Sequence, residues 1–214
     1  MCIRDRLNSI YETTFYRDLV ERYKIREINI AKELLEYLIS NISSFISVSK
    51  VYNIFKSINI NTSKRTLWRY YNYILESLIL FESKIYTYSK RKEIISPRKI
   101  YVNDLGIANL FRDQEIGHLM ENLVYLELFR KGIEPNYLKI DGNEIDFIYK
   151  ENNLIKLIEV TYKVDEEHIS KVKKALEFLK IREGIIITWD EENEIIYNNR
   201  KITIIPLWRW LLNS

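Results

Sequence analysis

Two strand-length apolar runs, NEIDFIY at 143–149 and LIKLIEV at 154–160, each carry a carboxylate in a setting that disfavours an unpaired charge. In the second run Leu154, Ile158 and Val160 cover one face, while Ile155 and Leu157 share the other with Glu159. Apolar residues on both faces mark a central strand, so the sheet must be covered on both sides. Asp146 in the first run and Glu159 in the second would repel if close, unless a cation lies between them. Magnesium suits such a pair, because it accepts one or two carboxylates and keeps several waters. The alternative is that acids at strand ends pair with lysines such as Lys156 or Lys163. Glu144 shares the strand face of Asp146, and Glu121, in GHLMENLVYLEL, has Val124 and Leu128 at helical spacing.

The surrounding pattern predicts a helix at 115–131, strands at 136–140, 144–149 and 154–161, a helix at 165–181 and a strand at 183–189. Strands at 194–197 and 202–205 and a helix at 207–212 follow. This α-β-β-β-α-β order has one helical crossover and therefore makes a mixed sheet in an α/β domain.

Residues 7–26 read as an amphipathic helix with Tyr11, Phe15, Leu19 and Val20 on one face. Helices at about 29–43 and 47–58 come next. A third starts at the capping candidates Thr62 and Ser63, with Leu67, Tyr71, Ile74, Leu75 and Leu78 on its apolar side. Strands at 79–88 and 99–102, joined by a basic loop at 89–98, complete the outline of a winged helix-turn-helix. Met1 to Arg6 fit no periodic pattern and resemble translated adapter sequence, which implies a natural chain that continues upstream.

Charge singles out this N-terminal half. Of the net +3, the stretch 62–99 holds nine cations against three acids, or +6, leaving −3 elsewhere. On the third helix Arg65, Arg69 and Asn72 fall opposite the apolar stripe, Trp68 lies at its border and Lys64 is in the first turn. Lys90, Arg91 and Lys92 would form the tip of the wing. Lysine and arginine at these places suit DNA phosphates and base edges.

One cysteine, Cys2, and two histidines exclude a disulfide framework and disfavour zinc. No apolar run reaches the ~18 residues that a bilayer requires. The expected compartment is the cytoplasm, with no membrane partner. No Gly-Lys pair occurs, so the chain holds no P-loop.

GHLMENLVYLEL, NEIDFIYK and LIEVTYK resemble the active-site segments of the PD-(D/E)XK nucleases. With YRDLVERY near the start and KIYVNDLGI before the nuclease-like part, the chain from about residue 11 resembles the C-terminal half of archaeal-type AAA ATPases. There a P-loop ATPase domain precedes a winged helix and a restriction-endonuclease-like domain. The resemblance implies Glu121 as the helix acid, Asp146 as the metal-binding aspartate and Glu159 as the acid of the E-x-K element. Asp146 and Glu159 would hold Mg²⁺. Thr161 stands where that element has lysine, and Lys163, two residues on, is the substitute expected to reach back about 6.6 Å along the strand face.

The expected division is a scar and linker helix at 1–26, a winged helix at 27–104 and the nuclease-like domain at 105–214. The expected function is a DNA-binding, non-catalytic or weakly catalytic C-terminal module of an AAA-type ATPase, with DNA and the ATPase domain as partners; self-association stays open. The alternatives are a Mg²⁺-dependent DNA endonuclease using Glu121, Asp146, Glu159 and Lys163, and a protein-docking domain whose basic, tyrosine-rich surface meets an acidic partner.

Overall fold

A computed structural model describes residues 2–213; Met1, the first residue of the expected scar, lies outside them. The chain divides into two compact units, residues 1–82 with 97–114, and residues 83–96 with 115–214.

In the first unit, α1 (Ile3–Thr13) continues as a π-helical stretch, Thr14–Glu21. Tyr11, Phe15, Leu19 and Val20 are all buried, as their spacing predicts. The helix starts at Ile3 rather than after Arg6, since Asp5 accepts from the Cys2 N–H and closes the first turn. Next come α2 (Ile28–Ile39), β1 (Phe45–Ile46), α3 (Val48–Ser57), α4 (Lys64–Glu76), β2 (Leu80–Ser83), β3 (Arg98–Val102) and α6 (Leu105–Phe111). The two-residue β1 is too short to leave a periodic signal. It pairs antiparallel with β3 through Phe45 and Lys99, giving a three-stranded sheet in the order β1-β3-β2. Ser47 caps α3 by accepting from the Lys50 N–H, and Ser63 caps α4 by accepting from the Thr66 N–H at 3.0 Å.

Two expectations are corrected here. The strand predicted over 79–88 ends at Ser83, and the predicted basic loop is helical: α5, Lys90–Ile95, capped by Ser89. After Ser83 the backbone bonds within the second unit. Tyr86 donates to the Tyr137 carbonyl at 2.7 Å and Tyr137 to the Lys84 carbonyl at 2.9 Å. The boundary drawn at Asp104 also moves. Asp104 caps α6 by accepting from Gly106 and Ile107, and Phe111 on that helix meets Tyr11 edge-on at 4.8 Å, so 105–114 belong to the first core.

The second unit contains α7 (Ile116–Arg130), β4 (Asn136–Ile140), β5 (Asn143–Glu151), β6 (Leu154–Val160), α8 (Glu166–Leu179), β7 (Glu183–Thr188), β8 (Asn193–Tyr197), β9 (Arg200–Pro206) and α9 (Leu207–Asn213). The six strands form a mixed sheet in the order β4-β5-β6-β7-β9-β8. β6, β7 and β9 run parallel, and the other neighbours are antiparallel. All three hairpins turn on two residues with positive φ: Asp141–Gly142, Asn152–Asn153 and Asn198–Asn199. Such turns match the twist of the paired strands, and asparagine tolerates the left-handed region, which is how so few glycines suffice.

Both faces of the sheet are covered, as the apolar pattern of β6 requires. Leu157, Ile148 and Ile186 pack with Val172 and Leu176 of α8. Phe147, the strand neighbour of Ile148, points the other way and meets Tyr125 of α7, ring centroids 6.3 Å apart. The chain is thus a mixed α/β protein with a six-stranded sheet and nine α-helices among the described residues.

Candidate functional site

The first candidate surface is α4. Leu67, Tyr70, Tyr71 and Ile74 are buried, which leaves Lys64, Arg65, Trp68 and Arg69 facing outward. Trp68 is 52% exposed and is held by stacking on Tyr71 at 5.7 Å. The Lys64 ammonium lies 5.4 Å from the ring centre of Tyr52, and the Arg69 guanidinium 5.2 Å from that of Tyr70. These aromatic contacts restrict the cations while leaving their charge available to an anion.

Lys90, Arg91 and Lys92 are exposed on the first turn of α5, where Lys90 pairs with Glu93 at 2.8 Å. They stand on a helix between β2 and β3 where a loop is expected, and that segment belongs to the second unit. Nor do all nine cations of the basic stretch serve a surface. Arg98 lies 3.6 Å from Glu82, and Lys99 is buried with its ammonium 5.7 Å from the ring centre of Phe45.

The second candidate is the acid cluster. Asp146 on β5 and Glu159 on β6 are 7% and 2% exposed. An Asp146 oxygen accepts from the Val160 N–H at 2.9 Å, which draws it against the end of β6. Glu159 forms an ion pair with Lys171 of α8. Burial works against the charge on Lys171, but the carboxylate of Glu159 and, beyond it, those of Asp146 and Glu144 hold its pKa above the ordinary lysine value.

Lys171 is thus a cation at the paired acids, and the sequence reading missed it. Of its two candidate lysines, Lys156 stands on the opposite face of β6 from Glu159 by strand alternation. Lys163 lies beyond the strand, which ends at Val160, in an exposed bend. Its carbonyl accepts from the Thr161 hydroxyl at 2.9 Å. The face-sharing argument for Lys163 therefore fails, because the two-residue alternation stops before it. The spacing of Lys171 with Val172, Ala175 and Leu176, at the inner edge of an amphipathic helix, was the available signal.

Glu121 is buried on α7, the helix packed on the other face of the sheet from α8. The structure brings Asp146 and Glu159 together with Lys171. Among the described residues no group of three or more acids, histidines or cysteines is arranged to hold a metal ion. The Lys171 ammonium pairs with Glu159, and one Asp146 oxygen accepts from a backbone N–H.

No helix of the described residues is long and apolar enough to cross a membrane.

Comparison with known proteins divides the chain near the start of α7. Residues 3–115 match the model of a domain of unknown function, DUF8612, and residues 116–210 match another, DUF4143. An uncharacterized protein of Methanocaldococcus jannaschii is 34% identical over 223 residues, covering 96% of this chain and 49% of that protein. An uncharacterized protein of Haemophilus influenzae is 25% identical over 211 residues, covering 96% of this chain and 52% of its own length. The chain spans about half the length of these curated relatives. With more than half of its residues matched by the first model, the chain belongs to the DUF8612 family and carries a DUF4143 match after it.

Proposed function

We propose that the chain is a DNA-binding module of a larger AAA-type ATPase, gripping duplex DNA through α4 and using the α/β unit as a non-catalytic scaffold. The observation that carries this reading is the outward row Lys64, Arg65, Trp68 and Arg69 on a capped helix whose other face is buried. The winged-helix reading is supported by the order α2-β1-α3-α4-β2-α5-β3 and the strand order β1-β3-β2. DUF4143 occurs in AAA-ATPase-associated C-terminal regions, which supports an ATPase partner domain. The nuclease-like reading of the second unit is supported by its helix, three strands, crossover helix and parallel strand, with Asp146 and Glu159 on adjacent strands. The Lys171 ammonium paired with the buried Glu159 supports a structural role for these acids.

Fluorescence anisotropy of a labelled duplex across a salt series tests the proposal. Binding should weaken steeply with salt, and replacing Lys64, Arg65 and Arg69 by alanine should lower the log–log slope by roughly one per phosphate contact removed. Absent or salt-independent binding rejects it. Mg²⁺-dependent nicking by the wild type that Asp146→Ala abolishes would instead establish an endonuclease. Displacement of DNA by an acidic protein at the same residues would favour protein docking.

A further inference from the structure

A cavity of about 370 Å³ opens in the first unit between the turn after the π-helical stretch and the C-terminal half of α4. It is lined by Tyr23, Lys24, Arg26, Glu27, Arg69 and Tyr73, with Ile25 and Tyr70 completing the wall. Its volume is at the lower end of the range for small-molecule sites, about 300–1,000 Å³.

The lining has two halves of different chemistry. Tyr23 and Tyr73 stack nearly parallel, centroids 4.3 Å apart and planes 13° apart, and the Arg22 guanidinium lies 5.3 Å from the ring centre of Tyr23, so a further flat ring can join this stack only on the outer face of Tyr73. Around it stand three cations, Lys24, Arg26 and Arg69, against one acid. That acid, Glu27, accepts from the Tyr70 hydroxyl at 3.1 Å through one oxygen, leaving its second oxygen to accept from a ligand N–H or O–H. The turn is fixed from below: Ile25 is buried and its N–H donates to the Val20 carbonyl at 3.0 Å. A ligand that satisfies both halves is flat and aromatic at one end, anionic at the other, and carries a hydrogen-bond donor.

We propose that this cavity binds a single nucleotide unit, its base extending the Tyr23–Tyr73 stack on the outer face of Tyr73 and its phosphate held by Lys24, Arg26 and Arg69. Base–aromatic stacking tolerates any base, and phosphate is the usual partner of clustered arginine and lysine. The same chemistry arises from a free nucleotide or from one residue of a single strand. The inference shares only Arg69 with the duplex-gripping face of α4; Lys64, Arg65 and Trp68 lie outside the cavity.

The test is isothermal titration calorimetry of the 214-residue chain with adenosine 5′-monophosphate, a hexathymidylate strand and inorganic phosphate. At least one of the first two should bind more tightly than phosphate. If only the strand does, the unit belongs to single-stranded nucleic acid; if only the free nucleotide does, the cavity is a nucleotide site. The double variant Lys24→Glu/Arg26→Glu, whose changes lie at the exposed rim, should weaken that binding roughly tenfold or more. Tyr73→Leu should weaken it by a similar factor, with circular dichroism confirming the fold. Both variants should keep the duplex binding of the wild type; a wild type that binds the nucleotide but no duplex would reject the module proposal and leave this one intact. Failure of both ligands to bind at millimolar concentration, phosphate binding as tightly as the nucleotide, or unchanged affinity in the charge variant would overturn the site.

Discussion

Lys171 illustrates what a single side chain decides in this molecule. Removing it takes the Lys171 ammonium from the Glu159 carboxylate, 2% exposed, and breaking a buried pair from one side costs about 3 kcal/mol. Lys171→Met should therefore lower the chemical-denaturation midpoint clearly, while Lys163→Met in its exposed bend should change it little. The pH dependence has a definite sign. The pKa of Lys171 is raised in the folded chain, so its contribution is complete below the unfolded lysine value of about 10.4 and is lost as pH climbs through the folded value. The stability gap between wild type and Lys171→Met should hold from neutral pH to about 10 and narrow above it; a gap that widens would contradict the pairing. The acids of this cluster were legible as charges inside apolar strands. Their partner was not, because it comes from a helix that the sheet topology, not sequence proximity, brings alongside.

At the scale of elements, the strands of the second unit were legible almost to the residue, since each alternates or runs apolar between clear turn residues. The failures lie where tertiary pairing overrides local pattern. The apolar run at 79–88 reads as one strand, yet its second half bonds to Tyr137. The basic segment reads as a loop, yet Ser89 caps it into a helix. Caps and turns also offer direct tests. Ser63→Ala removes the acceptor for the Thr66 N–H and should cost about 1 kcal/mol, measured by denaturant titration. Asn153 holds φ at 64° in the β5–β6 hairpin; Asn153→Ala should cost about 1 kcal/mol, whereas Asn153→Gly should not. Equal losses for both would show that the asparagine side chain, not its backbone conformation, matters there.

For the whole molecule, the division expected at Asp104 fails because sequence order and spatial membership differ. The stretch 83–96 lies between two strands of the first unit but packs with the second. Its contribution there is specific: the Ser83 hydroxyl donates to the Pro135 carbonyl at 2.9 Å, and the bonds to Tyr137 complete a residue that is fully buried. A fragment beginning at residue 105 lacks these partners. Its Tyr137 amide should exchange with deuterium far faster than in the intact chain, where it donates to Lys84; equal protection in both would show that the stretch is dispensable. The backbone thus crosses between the units three times, after Glu82, after Ser96 and after Gln114. A protease that nicks the chain once at the last crossing would sever the polypeptide, yet the N-terminal product would still carry a piece embedded in the C-terminal one. The two products would then travel together through a sizing column until a denaturant pulled that piece out.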